Sequence, residues 1–163
     1  MPILKTILFT LIAPTTATIL VPYLLLTKLK GFPSVNLGSF KYIGLLLILS
    51  GAVFYFWSAW HFAFTGKGTP APIDPPKIVV TRGLYRHVKN PMYVGNFSIL
   101  LGEFILFGSL ALLLFALLIW IAFHTFVTLY EEPHLRKTFG AGYEEYRNSV
   151  PRWIPRFASR KKN

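Results

Sequence analysis

The chain has 163 residues, of which 53% are hydrophobic, 17% aromatic and only 14% charged, yet its formal net charge is +11. A soluble domain of this length carries about a quarter charged residues, and here the apolar residues gather into runs near the ~20 residues that cross a bilayer. These figures exclude a soluble enzyme domain, a disordered basic tail and a second globular domain, and the lack of cysteine excludes a disulfide scaffold, thiol nucleophiles and thiolate zinc sites.

In chain order, the first apolar run covers residues 7–26 and contains Pro14 and Pro22, which reads as one kinked span. It is too long for a signal peptide and lacks the small-residue cleavage pattern. The second run, 42–64, ends in Phe54, Tyr55, Phe56, Trp57 and Trp60, an aromatic girdle at a membrane boundary with His61 beside it. Residues 66–77 are rich in proline and glycine and form a stiff, extended connection. The third run, 93–107, is short: at 1.5 Å per residue it covers roughly 22 Å of a hydrocarbon core about 30 Å thick. The polar segment before it, Arg86-His87-Val88-Lys89-Asn90-Pro91, is therefore expected to dip toward the membrane. Polar groups at that depth are tolerated only where they line a protein cavity. Gly108-Ser109 makes the turn of a tight hairpin into the fourth run, 110–130, and a polar helix follows it. The fold expected is all-α: a polytopic membrane protein with four transmembrane helices and a cytoplasmic C-terminal helix.

Of the 17 lysines and arginines, 14 fall in the N-terminal end, the second loop and the C-terminal region, and 3 (Lys28, Lys30, Lys41) in the first loop. With four spans, that asymmetry puts both termini in the cytoplasm, at the inner membrane if the chain is bacterial. The same residues attract anionic lipid headgroups. They stand where topology requires them, which argues against nucleic acid as a partner. The sequence leaves the oligomeric state open.

Two polar segments carry more than topology. Before the hairpin stand Gly83, Tyr85, Arg86, Lys89, Asn90, Pro91, Tyr93 and Gly95. After it stand Glu131, Glu132, Leu135, Phe139, Gly140, Tyr143 and Tyr146, then Val150-Pro151-Arg152 and Ile154-Pro155. In order and spacing these segments resemble the isoprenylcysteine carboxyl methyltransferase family and its relatives, including phosphatidylethanolamine N-methyltransferases, over residues 66–156. The resemblance implies an S-adenosylmethionine-dependent membrane methyltransferase whose lipophilic acceptor enters from the bilayer. The whole reads as one membrane domain: hydropathy gives two N-terminal spans in 1–65, the resemblance implies a catalytic region in 66–156, and charge marks a basic tail in 157–163. The resemblance implies cofactor contacts from Leu84, Tyr85, Arg86, Lys89, Asn90, Pro91, Tyr93, Gly95, Glu131, Glu132, Tyr143 and Tyr146, catalytic roles for Glu131 and Arg152, and no metal. Where the family has Arg-His-Pro, this chain has Lys89-Asn90-Pro91. An amide donates a hydrogen bond but does not titrate near neutrality.

Methyl transfer from a sulfonium is an in-line displacement that needs alignment and exclusion of water, with no protein nucleophile or metal. Glu131 or Glu132 suits the donor's amine or ribose hydroxyls, and Arg86, Lys89 and Asn90 suit its carboxylate. Tyr85, Tyr93, Tyr143 and Tyr146 offer aromatic faces to the sulfonium or adenine. Tyr143 and Tyr146, three apart, share one helix face and would serve equally as interfacial anchors. Acidic residues are disfavoured at a helix C-terminus, so Glu131-Glu132 at the end of the fourth run points to function. Glu144-Glu145 reads as surface, and Arg152, held between prolines, as a charge clamp or a ligand of the acceptor. His124, seven residues before Glu131, is expected on nearly the same face, lining an acceptor tunnel. A methyl acceptor that must first lose a proton, such as an ammonium or a thiol, would leave Glu131, Glu132 or His124 as base, whereas a carboxylate needs none.

Two other classes remain open. A membrane reductase of the sterol or steroid type would use a nicotinamide cofactor, against which the Glu131-Glu132 pair argues. A small four-helix transporter would use Glu103, an ionisable group within a span, as its coupling carboxylate, but would leave both loop motifs without a role.

Overall fold

The computed structural model describes residues 12–62, 64 and 78–156, so the start of the first apolar run, the proline-rich connection and the basic tail lie outside the described residues. Among these residues there is no β-strand; one isolated antiparallel bridge pairs Ser34 with Ser109. The helices are α1 (Ile12–Lys28), α2 (Gly38–His61), α3 (Pro91–Phe107), α4 (Leu110–Phe139) and α5 (Ala141–Ser149), with a 3-10 turn at Gly83–Arg86 ahead of α3.

Helices α2 and α4 are long and apolar enough to cross a bilayer, and α1 and α3 are shorter apolar helices. Leu45, Leu46, Leu49, Val53, Phe56, Trp57 and Trp60 on α2 are exposed, as are Leu114, Leu117, Leu118 and Ile121 on α4. Apolar surface of that extent has no place in water. It is the lipid-facing surface of an integral membrane protein.

Two helices contain a π turn, Thr16–Leu20 in α1 and Val127–Glu131 in α4. Each stands just upstream of a proline, Pro22 and Pro133. A proline brings no N–H, so the carbonyl four residues earlier loses its helical partner, and a wider turn accommodates the gap. Nearby hydroxyls bond back along both helices, Thr18 to the Pro14 carbonyl at 2.8 Å and Thr128 to that of His124 at 2.7 Å. Over its described residues the first apolar run is thus one helix through both its prolines. The fourth helix differs from the sequence expectation, because it runs through its π turn to Phe139. Glu131 and Glu132 therefore lie within a helix, and the argument from an unfavourable C-terminal dipole does not apply to them.

Helices α2 and α3 pack backbone to backbone. Gly44 and Gly51 on α2 are seven residues apart, as are Gly95 and Gly102 on α3, and Gly44 faces Gly102 while Gly51 faces Gly95. Small residues at helical spacing let membrane helices approach closely, which replaces the hydrophobic drive that lipid does not supply. Ser58, seven residues beyond Gly51, is fully buried. At the hairpin turn Gly108 has φ +67°, and its N–H caps α3 on the Phe104 carbonyl at 2.7 Å. The α1–α2 connection is tied to this turn, with Val35 N–H donating to Gly108 O at 2.8 Å and Leu110 N–H to Pro33 O at 3.1 Å.

A Cβ on Gly95 would lie 2.7 Å from Gly51 O and 2.8 Å from Tyr55 N, both backbone atoms that cannot step aside. Gly95→Ala gains about 1 kcal/mol of helix propensity and loses about 1–3 kcal/mol to overpacking. The packing loss is expected to win, lowering the thermal midpoint in detergent. Gly142→Ala, where a Cβ meets nothing within 4 Å, is expected to be neutral or stabilising in the same melt.

Candidate active site

The loop ahead of α3 is built as protein interior. Gly83 turns the chain at φ +62°, and a Cβ there would stand 2.5 Å from the His61 ring, which packs on it. His61, expected simply at the interface, stacks on Trp57 at 6.5 Å and seats this turn. Val80, Tyr85 and Met92 join Tyr55 and Ala59 in one buried cluster. Val88 is wholly buried.

The C-terminal segment after α5 crosses this loop and satisfies its polar groups. Lys89 N–H donates to the Pro151 carbonyl at 2.9 Å and Arg156 N–H to that of His87 at 3.0 Å. The Asn90 amide donates to the Arg152 carbonyl at 3.2 Å, and the Tyr146 hydroxyl to the Tyr85 carbonyl at 2.8 Å. His87 Nδ1 is bonded to the Arg156 carbonyl at 3.0 Å, so its ring is engaged away from the cavity. The two segments singled out in the sequence therefore meet as one surface.

Side chains lock the crossing. The buried Glu132 carboxylate accepts a two-pronged bond from Arg152, with Nε 2.7 Å from Oε1 and Nη2 2.9 Å from Oε2. Lys89 Nζ lies 3.5 Å from Oε1 and Arg147 Nε 3.7 Å from Oε2. Arg147 also bonds Glu144 at 3.1 Å, and Arg136 pairs with the same carboxylate, so Glu144 belongs to the helix-to-helix contact rather than the free surface on which it was expected. The hydrogen bond to Glu132 holds the Arg152 guanidinium above its ordinary pKa. Burial pulls the Lys89 ammonium below its own, with Glu132 opposing. Burial raises the Tyr85 and Tyr146 phenols, so the Tyr146 hydroxyl keeps the proton that it donates to the Tyr85 carbonyl.

Beside this clasp lies a partly open cavity of about 170 Å³. Its polar wall is Tyr55, Tyr85, Lys89, Asn90, Tyr93, Asn96 and Glu131, and its apolar wall comes from α1, the end of α2 and α4 through residues such as Ala17, Phe62 and Phe123. The Tyr93 hydroxyl donates to Glu131 Oε2 at 3.0 Å, and its ring packs on Phe123 at 4.7 Å.

Of the residues expected at the site, Tyr85, Lys89, Asn90, Tyr93 and Glu131 line this cavity. Glu132, Arg152 and Tyr146 form the clasp beside it, and Tyr143 is buried with its ring 6.4 Å from that of Tyr146. Leu84 accepts the His87 and Val88 N–H groups, Pro91 opens α3, and Gly95 is taken up by the contact with α2. Arg86 departs from expectation: it is exposed and outside the cavity. So does His124, which is exposed and faces Trp153 at 5.9 Å. The π turn between His124 and Glu131 explains this, because one extra residue in a turn rotates the following register by roughly 100°. Glu103 lies outside the cavity, half-buried beyond Gly102. Sequence reasoning missed Asn96, three residues after Tyr93 on the same face, and a polar side chain at helical spacing from Tyr93 was the available signal.

The sequence model of the phospholipid methyltransferase family matches residues 40–142, well over half the chain. The chain belongs to that family. Among its relatives, the protein-S-isoprenylcysteine O-methyltransferase of Schizosaccharomyces pombe is 43% identical over 79 residues, covering 48% of this chain and 33% of that protein. The solved structure of the eukaryotic intramembrane Ras methyltransferase, isoprenylcysteine carboxyl methyltransferase, matches this family member with a TM-score of 0.58 at 26% identity, over 73% of this chain and 43% of that one. The chain thus spans between a third and a half of the length of these relatives.

Arg152→Ala removes both prongs on a buried carboxylate and is expected to cost about 1.5–3 kcal/mol, the range for a hydrogen bond to a charged group. Arg147→Ala, which removes a longer contact to Glu132 at 3.7 Å and a partly exposed helical pair with Glu144 at 3.1 Å, is expected to cost about 0–1 kcal/mol. Thermal melting separates the two, and limited proteolysis is expected to cut the C-terminal segment faster in the Arg152 variant alone.

Proposed function

We propose that this chain is the catalytic core of a membrane methyltransferase that carries a methyl group from S-adenosylmethionine to the carboxylate of a prenylated cysteine or a similarly lipophilic acid. The observation that carries the reading is Glu131, turned into the cavity and held by Tyr93, with Lys89 and Asn90 on the same wall. The S. pombe relative is named for O-methyl transfer on isoprenylcysteine, and it shares 43% identity over nearly half of this chain.

The donor chemistry fits the side chains present. Glu131 suits a cationic amine or a pair of ribose hydroxyls, Lys89 and Asn90 suit a carboxylate, and Tyr85 and Tyr93 suit a sulfonium or a flat base. A cavity of about 170 Å³ is smaller than the roughly 300–1,000 Å³ that encloses a whole drug-sized ligand. It would take the reactive end of the donor, with Lys89, Asn90 and Glu131 as the polar groups to hold it. When bound, S-adenosylmethionine supplies a methyl carbon already activated by sulfur. The protein's own work is to hold that carbon in line and keep water out. A carboxylate acceptor is already deprotonated, so Asn90 in the place of a histidine costs the reaction nothing. Glu132 and Arg152 act as positioning residues, because their charges are engaged with each other.

In this reading all four apolar helices cross the bilayer. The short α3 is completed by the loop before it, which descends as cavity wall. Both termini, the proline-rich connection and the C-terminal helix face the cytoplasm, as the 14-to-3 division of basic residues requires, and anionic headgroups gather against them. Residues 1–65 support and 66–156 catalyse.

The purified protein in nanodiscs is expected to bind S-adenosylhomocysteine, measured by calorimetry. Glu131→Ala is expected to weaken that binding at least tenfold and Arg86→Ala by less than twofold. Absence of binding in detergent and nanodiscs alike overturns the reading.

A further inference from the structure

Asn96 is 8% exposed, sits on α3 one turn deeper than Tyr93, and lines the cavity. Its carboxamide bonds no described residue, and its polar atoms open onto the cavity rather than being sealed among packed side chains. A buried amide in a membrane helix ordinarily bonds across to another helix, because an unmet polar group in an apolar setting costs about 1–3 kcal/mol. Such a group persists where something other than the protein completes it. Its neighbours in the helix are committed elsewhere, with Gly95 against α2 and the Tyr93 hydroxyl on Glu131. Asn96 alone on this turn presents both a donor and an acceptor to the cavity.

Its depth says which ligand it meets. Lys89 and Asn90 stand at the loop end of the cavity, before α3 begins. Asn96 stands six residues beyond Asn90 and hence roughly 9 Å farther along the helix axis. At this inner end the wall is otherwise apolar, formed by residues such as Ile119, Phe123 and Ala17. That is the place for the head of an acceptor whose apolar body lies among the helices.

Resting on the function proposed above, we infer that Asn96 is the acceptor-specificity residue: its amide N–H grips one oxygen of the acceptor's carboxylate and leaves the other aimed at the donor. A lone pair of that second oxygen forms the new O–CH3 bond as the S–CH3 bond breaks. The electron pair of the broken bond returns to sulfur, and no proton moves. A neutral amide suits this task better than a cation, since it orients the carboxylate without drawing off the charge that makes it nucleophilic. It also selects against acceptors that lack an anionic or carbonyl oxygen, because the amide is then left buried and unpaired.

The test uses the full-length protein in nanodiscs with N-acetyl-S-farnesylcysteine as acceptor. Asn96→Asp, nearly the same shape but negatively charged, is expected to raise KM for the acceptor at least tenfold while S-adenosylhomocysteine binding stays within twofold of wild type. Asn96→Leu, which keeps the volume and carries no charge into the membrane, is expected to raise the same KM severalfold, so the result does not depend on the Asp variant folding. Unchanged KM in the Leu variant, or a parallel loss of S-adenosylhomocysteine binding in both variants, overturns the role of Asn96 and leaves the proposed function standing. Wild-type protein that binds S-adenosylhomocysteine yet fails to methylate this carboxylate overturns both the carboxylate acceptor and the inference built on it.

Discussion

Glu132 stands on a helix still packed against its neighbours, and a carboxylate buried there costs several kcal/mol unless its charge is met. Arg152 meets it with two bonds at 2.7 and 2.9 Å, and Lys89 and Arg147 stand behind. Arg152 can do so only if the chain after α5 turns back across the loop that precedes α3. That crossing in turn fixes the backbone of Lys89 and the amide of Asn90 through the Pro151 and Arg152 carbonyls. The polar wall of the cavity is therefore set by a charge outside the cavity.

The neighbouring carboxylate has a different task. Glu131 is held by one phenol at 3.0 Å and faces the cavity, whereas Glu132 is surrounded by cations. Adjacent helical residues point about 100° apart, so a pair of acids on one helix can serve two environments. The π turn at Val127–Glu131, upstream of Pro133, adjusts the rotation at which this pair arrives. It also sends His124 outward to Trp153, and Trp153 in turn rests on Trp120 at 4.6 Å. A helix irregularity caused by one missing N–H thus decides which side chains reach the site.

Much of this was legible from the chain alone. Apolar runs and their lengths gave the helices, Gly108-Ser109 gave the hairpin, and the short third run implied a polar loop acting as cavity wall, which Tyr85, Lys89 and Asn90 form. Residue types at family spacing pointed to Tyr93 and Glu131. What escaped depends on register and contact. Hydropathy stops at Tyr130, but the helix does not stop there, because its last turns are held by α5 and the clasp rather than by lipid. Arg86 carries the right charge, yet its position in the 3-10 turn points it to solvent. Asn96 is a single polar residue in an apolar helix, and only the meeting of α1, α2, α3 and α4 shows that it borders a cavity. The glycines at seven-residue spacing were visible as letters, but their meaning lies in the helix opposite.

The hairpin end is fastened by main-chain bonds between Pro33, Val35, Gly108 and Leu110, and the glycine faces of α2 and α3 continue that closure inward. The opposite end is held by side chains and a returning strap. The molecule is accordingly graded from a hairpin end closed by main-chain and glycine contacts to a loop end closed by charged side chains. Such a gradient gives sequence drift two different tolerances. Near the hairpin, change is limited by shape and scored as stability. Near the loop, it is limited by charge pairing and, on the function proposed, scored in turnover as well as in stability, so a new acceptor preference is reached through cavity residues outside the clasp.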